Sequence, residues 1–87
     1  MFKDSVRTPE QALAYITDCN LATVCDMAMT KRRKVGEFRR QKAIAQTAID
    51  WMDEMHIDYS TTRAKDVVKF GTVEKWAESF MPERKGE

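Results

Sequence analysis

The stretch covering residues 37–56 limits the fold more than any other part of the chain. At about 100° per residue, Phe38, Ile44, Ala45, Ala48, Ile49, Trp51, Met52 and Met55 share an arc of roughly 160°. Arg39, Arg40, Lys42, Asp50, Asp53 and Glu54 fill the remainder. A stripe this regular predicts one long amphipathic helix, the spine of whatever core the chain builds.

Shorter patterns flank it. In "TPEQALAYITDC", Thr8 can cap a helix, Pro9 suits its first position, and Gln11 completes a capping box. Ala12, Leu13 and Ile16 then face one way. Asp18 and Asn20 interrupt that pattern, and Asn20 suits the cap of a second helix, "LATVCDMAMTK", in which Leu21, Val24, Cys25 and Ala28 recur at helical spacing. After "IDYS", Ser60 or Thr61 can open a short helix carrying Ala64, Val67 and Val68 and closed by Gly71. Thr72 caps a last helix with Val73, Trp76, Ala77 and Phe80 on one side; Pro82 stops it, and 82–87 is expected to be a flexible tail. Three glycines and two prolines are too few for a turn-rich β fold. The expected architecture is all-α: a single domain over 1–87, folded as a compact bundle of four to five helices around one long central helix.

Several classes fall away. No apolar run approaches the ~20 residues of a membrane span, and "MFKDSVR" lacks the apolar stretch of a secretory signal. Cys19 and Cys25 have no CxxC neighbour and no nearby histidine, which points to reduced thiols and a cytoplasmic protein. Ser5, Ser60 and Ser79 have no recognisable base, and three scattered glycines make no phosphate loop. Asp50, Asp53, Glu54, His56 and Asp58 carry metal-binding atoms, but His56 falls about 120° or more from Asp50 on the helix. Trp51 and Trp76 sit at core spacings. No catalytic residue, metal or cofactor is expected, which leaves a non-enzymatic binding protein.

Charge supplies the candidate site. "TKRRKVGEFRRQK" concentrates Lys31, Arg32, Arg33, Lys34, Arg39, Arg40 and Lys42 against the single acid Glu37, in a chain of net charge +1. A helix favours acids at its start and bases at its end. The long helix has Arg39, Arg40 and Lys42 early and Asp50, Asp53 and Glu54 late, an inversion worth on the order of 1–2 kcal/mol at low salt. Internal pairing could relieve it, through Asp26 for the bases or Arg63, Lys65 and Lys69 for the acids. The functional alternative is a basic segment, four of its seven cations arginine, that grips phosphate or an acidic protein surface. Nucleic-acid binding through 31–42 is a second reading, although nucleic-acid domains carry a more basic balance. A helix-turn-helix does not fit, because aligning its small-residue position on Ala22 or Ala28 puts Arg32 or Arg33 where core or turn residues belong. A third reading is a homodimer: Arg39 and Asp50 share a helix face about 16 Å apart. Antiparallel copies would match them end to end, with Asp50, Asp53 and Glu54 as acidic contacts and Met27 and Met29 as adaptable apolar ones.

The segments "TPEQALAYITDCNLATVCDMAM" and "QKAIAQTAIDWM" resemble small accessory proteins of bacteriophages and prophages over about half of the chain. The resemblance carries over no functional residue. It implies a bacterial host cytoplasm and a host-directed role, most sharply an anti-CRISPR-like inhibitor that occludes a host protein or nucleoprotein surface. A near-neutral charge departs from the acidic DNA mimics among such inhibitors, which favours direct blocking of a protein or a basic contact.

Overall fold

The computed structural model describes residues 8–82, and within them the chain is helical with no strand. Four helices are present among the described residues: α1 (Pro9–Met29), α2 (Val35–Glu54), α3 (Ala64–Phe70) and α4 (Val73–Glu78). The expected tail over 82–87 lies outside the described residues apart from Pro82.

Helices α1 and α2 form an antiparallel hairpin closed by the loop at 30–34, and each contributes a seam with alternating three- and four-residue spacing. In α1 the buried seam is Ala14, Thr17, Leu21, Val24 and Ala28. In α2 it is Phe38, Ala45, Ile49 and Met52, with Lys42 occupying the missing position. That rhythm keeps one stripe of each helix on the contact, as in a helical bundle. Thr17 is tolerated there because its hydroxyl donates to the Leu13 carbonyl at 2.7 Å. The short helices α3 and α4 cover one side of the hairpin, burying Ala64, Val67, Val73, Trp76 and Ala77 against it. Phe80 packs edge-on to Trp76, with ring centroids 5.1 Å apart. The described residues span 41 × 25 × 20 Å.

Several terminators act as the sequence predicts. Thr8 accepts from the Gln11 amide at 3.1 Å and Pro9 opens α1. Gly71 ends α3 at φ 106°, where a side chain would be strained. Thr72 accepts from the Lys75 amide at 3.2 Å to start α4.

Other expectations need correction. The first two predicted helices are one, because Asp18 and Asn20 turn sideways into tertiary contacts and leave the backbone alone. Asp18 accepts from the Arg63 amide and its guanidinium, each at 2.8 Å, and so ties the segment before α3 to α1. Asn20 donates to Gln41 across the hairpin at 2.7 Å. The inward face of the first turns is Ala14 and Thr17, whereas Ile16 is exposed. The long helix starts at Val35 and stops at Glu54, short of His56. There Ile57 N–H reaches Met52 O at 2.8 Å and His56 N–H reaches Asp53 O at 3.2 Å, with His56 at φ 58°. This is a Schellman cap with a histidine where glycine is usual. Nor is α2 the only long helix: α1 has 21 residues and α2 has 20.

Candidate interaction surface

The seven sequence-predicted bases gather at the loop end of the hairpin, but they do different jobs. Arg33 folds back on α1, donating from Nε to Met27 O at 3.0 Å and from Nη2 to Ala28 O at 2.9 Å. Its guanidinium also lies 5.4 Å from the Phe38 ring centre. It therefore terminates α1, satisfying carbonyls that the helix leaves open. Lys42 runs its stem through the α2 seam, with only 13% of the side chain exposed, and its ammonium meets Glu74 at 2.9 Å. The same ammonium sits 4.3 Å over the Phe38 ring. Arg40 pairs with Glu37 at 3.1 Å on the surface of α2.

Lys31, Arg32 and Lys34 lie exposed in the loop and Arg39 exposed in the first turns of α2. None of these four has an acidic partner within ion-pair distance among the described residues. Lys34 stands at the N-cap of α2 and has no oxygen to offer the first-turn amides. Glu37, the one acid of the first turn, is engaged: hydrogen bonds from Gln41 and Arg40 hold its carboxyl below the ordinary range. Gln41 links Glu37 to Asn20, a polar bridge across the hairpin beside the basic corner.

The acidic end is only partly relieved. Asp50 accepts from Gln46 at 3.0 Å, Asp53 accepts from the Tyr59 hydroxyl, and Glu54 is exposed. None meets a cation within ion-pair distance among the described residues; Arg63 goes to Asp18 instead. The bond to Asp53 pushes the Tyr59 phenol up to about 12. Asp50 and Arg39 lie toward the α4 side of α2, where Arg39 flanks Val73 and Glu74.

Sequence reasoning missed a second surface. Of the apolar arc on α2, only part turns inward: Ile44 is 49% exposed, Trp51 55% and Met55 54%. Helix geometry puts Ile44 and Trp51 on the side of the hairpin away from α3 and α4, whereas Met55, the C-cap of α2, borders a cleft with Tyr15 and Asp18. Ile16, 62% exposed on α1, lies on the same open side, together with the half-buried Leu13, Met27 and Ala48. No charged residue of α1 falls among Ala12, Leu13, Ile16, Asn20, Thr23 and Met27, the positions that line this side, although a third of the chain is charged. The signal was present in the width of the arc. A core-facing stripe needs little more than about 100°, so an arc near 160° supplies a second apolar face.

A cleft of about 550 Å³ lies at the opposite end from the basic corner, between the N-terminal half of α1 and the loop after α2. Glu10, Tyr15, Asp18 and His56 border it. No group of three or more His, Cys, Asp or Glu side chains among the described residues could hold a metal ion, and no helix among them is long and apolar enough to cross a membrane. Cys19 is exposed and Cys25 half-buried, both as free thiols; burial raises the Cys25 thiol. Trp76 is core as expected, but Trp51 is surface.

Against this geometry, the chain matches no family model, no curated protein and no solved structure.

Proposed function

We propose that this protein is a non-enzymatic docking module that covers an acidic surface of a partner protein or nucleoprotein. The contact residues are Lys31, Arg32, Lys34 and Arg39. One observation carries the reading: in a chain of net charge +1, four cations with no acid within ion-pair distance among the described residues collect at one corner, while Arg33 and Lys42 are spent inside the fold and Arg40 on a surface pair with Glu37. Evenly solvated lysines and arginines would serve solubility; clustered ones raise a local positive potential that steers acidic partners. The sharper role, inhibition of a bacterial defence complex in the manner of an anti-CRISPR protein, draws on the resemblance of 8–29 and 41–52 to phage accessory proteins.

The test is capture from nuclease-treated bacterial lysate with the wild-type chain and with a Lys31→Ala, Arg32→Ala, Lys34→Ala variant. A protein partner retained by wild type and lost by the variant, at unchanged helicity, supports the reading. Recovery that depends on nucleic acid, with a log–log salt slope near −3 to −4 for about four phosphates, would replace it by the nucleic-acid reading.

A further inference from the structure

We infer that the open face of the α1–α2 hairpin is a self-association surface. Its occupant is a second copy of this chain, packed across a two-fold axis that passes α2 between Thr47 and Ala48. The starting point is the spacing of the exposed residues. Ile44 and Trp51 stand at equal distances on either side of that point, so an antiparallel second α2 sets each Ile44 against the other copy's Trp51. An isologous interface requires such a relation, in which residue i meets j and j meets i.

Charge follows the same symmetry. Arg40 lies about 11 Å from the axis on one side and Glu54 about 10 Å on the other, at 1.5 Å rise per residue. Both sit on the rim of α2 away from α1, so each Arg40 faces the other copy's Glu54 at both ends of the apolar strip. Among the described residues Glu54 meets no cation within ion-pair distance, and Arg40 is tied to Glu37 in a surface pair whose side chains are 69% and 39% exposed. A guanidinium has donors enough for both carboxylates. The inverted charge order of α2, unfavourable within one helix, becomes complementary between two antiparallel ones.

The axis between Thr47 and Ala48 lets residues 41–54 of α2 pair with their own copies, about 20 Å of helix, so two helices with axes 8–10 Å apart overlap over a face on the order of 350 Å² in projection. That is below the roughly 800 Å² each partner contributes to a standard interface and fits a small, weak association. Stacking two such hairpins through their apolar sides gives a four-helix bundle, with α3 and α4 left on the outside.

The decisive experiment is a charge-swap pair studied by sedimentation equilibrium from low to high micromolar concentration. Arg40→Glu alone and Glu54→Arg alone each place like charges at both ends of the interface and should weaken self-association by about ten-fold or more. An equimolar mixture of the two variants restores both attractive pairs, so it should associate as well as wild type. Trp51→Ala, at an exposed position, should give a folded monomer. A wild-type chain that stays monomeric at high micromolar concentration overturns the inference, and so does a mixture that associates no better than its components. Either failure leaves the docking corner untouched, because that corner contains none of these residues.

Discussion

Lys42 is a charged residue whose main work is predicted to be apolar. Replacing it with alanine deletes three methylenes beyond Cβ, worth about 0.8 kcal/mol each when buried. With 13% of the side chain exposed, about 2 kcal/mol of that is at stake. The ammonium over Phe38 adds about 0.5–2 kcal/mol. The pair with Glu74 adds only about 0.2–1 kcal/mol, because the Glu74 carboxylate is largely in water. Release of the ammonium from partial burial offsets some of this, so Lys42→Ala should lose about 2–4 kcal/mol. A domain of this size has on the order of 4–13 kcal/mol in total.

Lys42→Met keeps the stem and drops the charge. Glu74 can rehydrate, so no buried ion is orphaned, and the variant should fall within about 1 kcal/mol of wild type. Urea denaturation followed by circular dichroism measures both, and the alanine variant should melt roughly 8–30 °C lower on a scale of 4–8 °C per kcal/mol. Equal losses for alanine and methionine would mean that charge, not the stem, holds this position. A loss below about 1 kcal/mol for alanine would mean that the seam does not need residue 42 at all. The practical consequence is that alanine scanning of the basic segment for binding should spare Lys42.

Arg33→Ala removes the fork that closes α1 and should lower stability by about 1.5–3 kcal/mol, as for hydrogen bonds to a charged group. Arg33→Lys should recover little of it, since a single ammonium does not reproduce the guanidinium's Nε and Nη2 contacts to two successive carbonyls; full recovery would refute the capping role. Tyr59 should titrate near 12 rather than at its ordinary 10, and Tyr59→Phe should delete that late step from an ultraviolet absorbance titration. Because the folded value lies above the unfolded one, the stabilisation from the Asp53 bond is complete below about pH 10 and disappears as pH rises through about 12. A phenol titrating at its ordinary value would show that Tyr59 and Asp53 do not meet.

What could be read from the residues was mostly local. Thr8, Pro9, Gly71 and Thr72 mark helix ends by their own chemistry, and all four act where the pattern puts them. The failures are residues whose partner is distant in sequence. Asn20 looked like a cap because a cap is the nearest use for an asparagine; its actual partner, Gln41, is twenty-one residues on. Asp18 likewise reaches Arg63. His56 gave no stop signal because histidine at positive φ has no sequence signature, and the stop depends on Ile57 meeting Met52. Lys42 was assigned to the polar face by its charge, although its angle on the helix, about 40° from Phe38, lies within the buried sector.

The charge inversion on α2 can now be divided. Arg40 and Lys42 have acids of their own, and Arg33 donates to the last carbonyls of α1; Lys42 and Arg33 serve the fold, whereas Arg40 stays in a surface pair. Among the described residues Arg39, beside the loop bases, and Glu54, at the other end, meet no opposite charge within ion-pair distance. Those remainders lie on different parts of the surface. Lys31, Arg32, Lys34 and Arg39 form the corner, whereas Glu54 rims the apolar strip together with Arg40. Among the described residues Glu54 meets no cation within ion-pair distance, and Ile44 and Trp51 are exposed on the same helix. Their coexistence on one side of α2, in symmetric spacing, is what a second helix in antiparallel register would require.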